Sequence, residues 1–349
     1  MNTIKCGIIG CGVIAPSHIE SYQNLPGAEV SAVCDLVEKK AMSMAERYRI
    51  ATTCTDYRKM LDNPEIEAVS VCTDHASHAR IVVDALNAGK HVICEKALGI
   101  SPRDLDAMAA AHRQHPELVF AGVFQHRFEK LNRYVKGLID RGAFGTLSAM
   151  TLNSWLLRTN DYYRQDAWRG TWADEGGSLL INQAIHYIDL LNWFSGGVEA
   201  LCAKCENLAH QGIIETEDAA AVTLKFRHGH VGVICATSSS VEEWRHVITI
   251  SGSKGHLEMC NDEISYFKFQ DKAMHDEVAN HLQQCREEKL IESNKDYYGQ
   301  GHPAQIKDFI DAIREKRQPY VSAELARQTV DIVLACYESS RTGKWVKLP

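Results

Sequence analysis

The first third of the chain alternates between two hydrophobic patterns. Short apolar runs at Ile4–Ile9, Val30–Cys34, Ala68–Cys72, His91–Cys94 and Leu118–Gly122 have the length and composition of buried strands. Between them, Val13–Asn24, Val37–Tyr48, Ser77–Ala88 and Pro102–His115 read as helices. Asn63-Pro64, Ala88-Gly89 and Ser101-Pro102 supply stops and starts. Strand–helix alternation with short links predicts a parallel, doubly wound sheet. After Phe124 the texture changes. A helix is predicted over Glu129–Arg141, ended by Gly142, and longer strand-like runs follow at Thr146–Leu156, Val198–Glu206, Ala219–Phe226, Val231–Ser238 and His246–Ser251. Arg227-His228-Gly229-His230 and Gly252-Ser253-Lys254-Gly255 read as hairpin turns. One helix, Ser178–Phe194, interrupts these strands. A polar, charge-rich stretch runs from Gln270 to Asn294, and helices near Pro303–Glu315 and Ala323–Thr342 close the chain. The pattern predicts an α/β N-terminal domain over 1–124 and an α+β C-terminal domain over 125–349. The second has a large, mostly antiparallel open sheet, and the C-terminal helices are free to pack back on the first domain.

Composition fits this picture. Two domains are expected for 349 residues, and 45% hydrophobic with 24% charged residues is ordinary for a globular chain able to bury its own core. A net charge of −7 argues against nucleic acid or an anionic membrane as partner. No apolar stretch approaches the roughly 20 residues of a membrane span, and the N-terminus runs directly into a strand, so a cytoplasmic location is expected. Of the 12 cysteines, Cys6, Cys34, Cys72, Cys94 and Cys235 sit in or beside apolar runs as small, reduced core residues. Cys202-x-x-Cys205 lies in a strand, where positions three apart face opposite sides, and His112 with His115 has no obvious third ligand. No metal site is expected.

The first strand leads straight into Gly10-x-Gly12-x-x-Ala15 and then a helix. This is the dinucleotide-binding fingerprint in its proper setting and makes the first domain a Rossmann domain. Gly10 serves the tight turn, Gly12 admits a pyrophosphate to the backbone, and Ala15 allows close helix–strand packing. The helix entrance at Val13 and Ile14 offers N–H groups to phosphate. Asp35 ends the second apolar run, about twenty residues on, where a carboxylate accepts from ribose hydroxyls and repels a 2′-phosphate. NAD is therefore favoured over NADP. Asp35 also reads as a cap of the helix beginning near Val37.

Ligands in open parallel sheets sit beyond the carboxyl ends of strands. Thr73 and His78 follow one such end as candidate cofactor contacts, although Ser77 or Thr73 also reads as a helix cap. Glu95-Lys96-Ala97 follows the next. There Lys96 is suited to donate a hydrogen bond to a substrate oxygen, with Glu95 orienting it. In the helix behind Gly176-Gly177, Ser178 is a candidate N-cap. Asn182 and His186 share a face at i, i+4, and Asp189 is a candidate partner for the imidazole.

These motifs, together with Phe124-Gln125-His126-Arg127-Phe128, Ala167-Trp168-Arg169-Gly170, Ile250–Gly255 and Arg341-Thr342-Gly343-Lys344, resemble the glucose–fructose oxidoreductase/inositol dehydrogenase/rhizopine catabolism (Gfo/Idh/MocA) family along the whole chain. The resemblance implies a Rossmann domain followed by an α/β domain whose sheet mediates homodimers or homotetramers. It implies Lys96 and His186 as catalytic residues. Two positions depart from the family pattern. Ala97 replaces the usual proline, and Asn182 stands where inositol-type members carry aspartate; asparagine hydrogen-bonds but relays no proton. The Asn-Gln-x-Ile-His form with Trp-Arg-Gly upstream resembles branches acting on UDP-N-acetylhexosamines and their uronates, or oxidising glycosides at C3.

The expectation is a nicotinamide-dependent dehydrogenase or reductase acting on a secondary hydroxyl, at C3, of a sugar, glycoside or nucleotide sugar. Expected cofactor contacts are Gly10, Gly12, Val13, Ile14, Asp35, Thr73, His78, Glu95, Lys96 and Gln125, and expected substrate contacts are Lys96, Arg127, Trp168, Arg169, Asn182 and His186. Trp168 and Arg169 also read as braces between domains, and Tyr298 and His302 are lesser candidates. Three alternatives stay open. One is an NAD-retaining enzyme that cleaves glycosides by internal hydride cycling, the second a non-catalytic NAD-binding sensor, the third a reductase of non-sugar substrates.

Overall fold

A computed structural model of the protein describes residues 3–289 and 301–349. The chain forms two compact units: Met1–Gln125 with Ala173–Gly176 and Gln300–Val330, and His126–Trp172 with Gly177–Gly299 and Asp331–Pro349.

The first unit is the doubly wound sheet. Strands β1 (Ile4–Ile9), β2 (Ala28–Cys34), β3 (Thr52–Cys54), β4 (Ala68–Val71), β5 (His91–Cys94) and β6 (Phe120–Gly122) lie parallel in the order β3-β2-β1-β4-β5-β6. Helices α1 (Ala15–Gln23), α2 (Glu38–Tyr48), α3 (Tyr57–Leu61), α4 (His75–Asn87) and α5 (Pro102–Gln114) form the connections. The order reverses direction at β1, between β2 and β4, which is where such a sheet opens its ligand crevice. The strands read as continuous apolar runs because both faces are covered. The core joins Ile8, Ile19, Tyr22 and Val33 to Ile306, Phe309 and Ile310 of a later helix, α10 (Gly301–Glu315). The short edge elements β3 and α3 were not predicted; three and five residues are too few to show a period.

In the second unit, β7 (Leu147–Leu157), β8 (Val198–Glu206), β9 (Ala219–Phe226), β10 (Val231–Thr237), β11 (Ser239–Gly252), β12 (Gly255–Cys260), β13 (Glu263–Phe269) and β14 (Val346–Lys347) form a sheet in the order β13-β12-β11-β7-β10-β9-β8-β14. All pairs are antiparallel except β10 with β7. The two predicted hairpin turns join β9 to β10 and β11 to β12. Helices α6 (Lys130–Asp140), α7 (Asn160–Arg164), α8 (Ile185–Ser195) and α9 (Lys272–Lys289) belong here, and α11 (Ala323–Thr342) runs from the first unit into the second. Strands β12 and β13 and helix α9 fall where the sequence showed mixed polar residues. They are seated by tertiary pairing rather than by their own pattern.

Candidate active site

In the first unit, Gly10 has φ +96°, and a Cβ there would stand 2.5 Å from the Cys72 carbonyl oxygen, so only glycine serves. At Gly12 a Cβ would meet nothing within 4 Å, which leaves the turn open to an approaching group. Helix α1 begins without a side-chain cap, but Ala15 and Ser17 N–H donate to the Gly12 and Ile14 carbonyls and Pro16 has no N–H, so a phosphate here would be met by the amides of the Gly12–Ile14 turn ahead of the helix. Asp35 Oδ2 accepts from Cys11 N at 2.9 Å and Oδ1 from Val37 N at 2.8 Å. The carboxylate thus ties the glycine turn to β2, and each oxygen retains a lone pair for a hydroxyl. Val13 beside it is 73% exposed. Further along, Gln125 Oε1 is buried without a hydrogen-bond partner among the described residues. An open glycine cradle with its turn amides, an anchored carboxylate and an orphaned amide oxygen are a donor and acceptor set that fits a dinucleotide.

One expected cofactor contact and one expected cap change. His78 is 0% exposed; Nδ1 lies 2.7 Å from the Ala97 carbonyl oxygen and Nε2 3.1 Å from that of Thr73. It staples the loops after β4 and β5 together instead of lining a cleft. Helix α4 is capped by Asp74, whose Oδ1 accepts from Ser77 N at 3.0 Å, not by Thr73 or Ser77. His75 is held neutral, its pKa pushed down to about 3 by burial and then by the Lys96 charge.

Glu95 is buried, and its Oε2 accepts from the Lys96 backbone N–H at 3.1 Å. Its Oε1 lies 3.0 Å from His18 Nε2 and 3.5 Å from His302 Nε2. His18 Nδ1 meets Ser70 Oγ at 3.1 Å, which in turn meets Tyr22 OH at 2.9 Å. Burial opposes the carboxylate, yet hydrogen bonds and charge from the two imidazoles hold Glu95 well below its usual range. The three side chains have donor types and spacing that also suit a cation, their ligand atoms lying within 4.8 Å of one another. With Oε1 on His18 and Oε2 on Lys96 N–H, the arrangement works as a clamp on the backbone that carries Lys96. His18 was missed. Its clue is a polar residue on the buried Ala15–His18–Ile19–Tyr22 stripe of α1. His302, a lesser candidate by sequence, belongs to this cluster; Tyr298 lies outside the described residues.

In the second unit the predicted Ser178–Phe194 helix is two pieces, a π-helical turn at Leu179–Gln183 followed by α8. Such turns recur at functional sites. Ser178 is not a side-chain cap. The buried Glu217 does that work, accepting from Leu180 N at 2.8 Å and Ser178 N at 3.3 Å, while Tyr337 OH donates to it at 2.9 Å. Burial raises the Glu217 carboxyl above its usual value against these bonds. From Glu175 to Asn192, Asn182 and His186 alone are not buried. The His186 ring lies 4.8 Å from that of His126.

Arg127 and Asp189 depart from expectation. Arg127 is 3% exposed, and its Nε and Nη2 donate to Asp189 Oδ2 and Oδ1, both at 2.7 Å. The arginine expected at substrate and the acid expected at His186 are committed to one buried, bidentate pair. Arg169 is sandwiched, its guanidinium 4.4 Å from the Tyr162 ring centre and 4.6 Å from that of Trp168, with Nε on Asp166 at 3.0 Å. Tyr162 OH accepts from Gln183 Nε2 at 2.8 Å, and Gln183 Oε1 accepts from Arg158 Nε at 2.9 Å. Tyr162, Gln183 and Arg158 thus form a hydrogen-bonded group with Arg169; sequence spacing alone did not bring them together.

The fold and the first unit's phosphate cradle define an NAD(P)-binding oxidoreductase. Residues 4–123 match the NAD-binding Rossmann fold of an oxidoreductase family and 136–348 its C-terminal alpha/beta domain. The chain belongs to the Gfo/Idh/MocA family. It is 25% identical to the myo-inositol 2-dehydrogenase of Thermotoga maritima over 99% of this chain and 98% of that one. Its structure is similar to that of the WlbA dehydrogenase from Bordetella pertussis in complex with NADH and UDP-GlcNAcA, with TM-score 0.91 and 28% identity over 100% of this chain and 98% of the other. A levoglucosan dehydrogenase in complex with NADH shares the fold, with TM-score 0.86 and 22% identity over 100% of both chains. Among the described residues no helix is long and apolar enough to cross a membrane.

Proposed function

We propose that the protein is an NAD-dependent dehydrogenase of a secondary hydroxyl, at C3, of a sugar derivative, with nucleotide-linked N-acetylhexosamines and their uronates as the first class to test. The observation that carries this reading is the pair Asn182 and His186, left accessible in a segment otherwise buried from Glu175 to Asn192. Support for the substrate class comes from the WlbA relative and its UDP-GlcNAcA complex, and for the cofactor from Asp35 and the NADH-bound relatives. The dinucleotide, when bound, supplies the hydride acceptor. His186 takes the hydroxyl proton on its imidazole. Lys96, its backbone clamped by Glu95, donates a hydrogen bond to the reacting oxygen and stabilises negative charge there. Asn182 hydrogen-bonds the sugar, and Trp168 with Arg169 offers an aromatic face and a cation to it.

The test is absorbance at 340 nm with NAD or NADP and a panel of myo-inositol, free hexoses, UDP-N-acetylhexosamines, their uronates and simple glycosides. A rise with one class, cut by about 10²–10⁴-fold in Lys96→Ala and in His186→Ala while dinucleotide affinity is retained, is the expected result. A protein that binds dinucleotide and reduces it with no member of the panel would reject the reading.

A further inference from the structure

Beside His186 the second unit builds a second imidazole with its own carboxylate. His126 lies in the turn Gln125–Phe128, its ring centroid 4.8 Å from that of His186 with 32° between the planes. Its Nδ1 meets Asp262 Oδ2 at 2.8 Å. Asp262 also accepts from Asn132 Nδ2 at 2.8 Å and from Tyr187 OH at 3.1 Å. The carboxylate is presented by the tight turn between β12 and β13, where Asn261 and Asp262 have φ of 49° and 65°. Asn and Asp tolerate that conformation better than other side chains do. Asn261 anchors the turn to β11, its Oδ1 accepting from His246 N at 2.8 Å and its Nδ2 donating to the Trp244 carbonyl at 3.0 Å.

Charge follows from this geometry. Burial opposes a charged His126, but Asp262 by charge and hydrogen bond, with Glu129 and Asp189 adding, raises it above the ordinary histidine value. Burial opposes ionised Asp262 as well, and His126, Asn132 and Tyr187 bring it below the ordinary carboxylate value. His246 stacks on Tyr187 at 3.9 Å and is pushed down to about 3 by burial and then by the His126 charge, with Arg158 adding and Asp262 opposing. On α8, Asp189 is balanced by Arg127. A cation in ring contact with a second imidazole disfavours charge on that imidazole.

We propose that His126, held as a cation by Asp262, is a positioning residue that faces His186 and keeps it neutral, ready to accept a proton, to lower pH than an isolated histidine reaches. The inference rests on the base role given to His186 above. The test pairs two measurements on the full-length protein: the NMR titration of the His186 imidazole, assigned by its loss in His186→Ala, and the pH profile of kcat/KM. In His126→Gln the His186 midpoint and the acid limb should both rise by about one pH unit. His126→Lys, which restores the cation, should leave the midpoint near the parent value, and Asp262→Asn, which removes the counterion of His126, should shift it in the same direction as His126→Gln. An unchanged midpoint in folded His126→Gln overturns the proposal. A shifted midpoint with an unmoved acid limb supports the coupling and removes His186 as the base, so the two readings fail separately.

Discussion

Asp35 shows how one side chain carries two duties. Its oxygens hold the backbone N–H of Cys11 and of Val37, and each keeps a lone pair for a hydroxyl. The helix-capping reading of the sequence is not met, because α2 opens without a side-chain cap and the Asp35 bonds go to Cys11 and to Val37 ahead of the helix. Asp35→Asn keeps the volume and removes the charge. It should weaken NAD binding by about tenfold, the loss of one good hydrogen bond, and affect NADP less. Isothermal titration with both dinucleotides measures this, and an unchanged NAD/NADP ratio would leave Asp35 only its turn-holding role. Arg127 is the converse case. Its guanidinium was expected to meet an anionic group of the substrate, but a buried guanidinium is best satisfied by a carboxylate in fork geometry, and Asp189 provides one.

At the scale of elements, the histidine-bearing helix depends on a residue from another part of the chain. Glu217 lies just before β9, yet it satisfies the amide groups that open the π-helical turn leading to α8. Glu217→Ala would leave Ser178 N–H, Leu180 N–H and the Tyr337 hydroxyl buried without their acceptor. The expected cost is about 3 kcal/mol of stability in urea unfolding, since each orphaned group costs about 1–3 kcal/mol. Activity should fall with it, because Asn182 and His186 ride on this segment; a variant as stable as the parent would show that the cap is dispensable. Elements with a strong internal period were legible. Strands β1 and β5 begin and end where their apolar runs do, and α11 spans the predicted residues. The break between the π-helical turn and α8 was not legible, because a wider turn still buries the same apolar residues and leaves the pattern nearly unchanged.

For the whole molecule, the outward face of the larger sheet bears on assembly. Along β10, Ile234 is 1% exposed, whereas its neighbours Val231 and Val233 are 57% and 44% exposed. Val233 pairs with Thr151 on one side and Thr223 on the other, and Val231 with Ala149 and Lys225, so apolar and polar side chains mix on this face. Such a surface suits an interface. The protein is expected to sediment as a homodimer or homotetramer, and Val231→Glu with Val233→Glu is expected to shift it toward monomer. A monomeric parent at micromolar concentration would end this reading.

Local pattern determined much of this protein. The parallel sheet, the mostly antiparallel sheet, the phosphate-binding turn at Gly10 and Gly12, and the acid at Asp35 each follow from residues a short distance apart, because periodicity and turn chemistry are short-range properties. Tertiary structure alone decided which polar groups meet. His18, Glu95 and His302 converge from α1, the end of β5 and α10; His126 and Asp262 meet across much of the second unit; Arg127 takes Asp189 away from His186. Buried polar side chains must find partners wherever the fold brings them, and spacing along the chain does not say where that is.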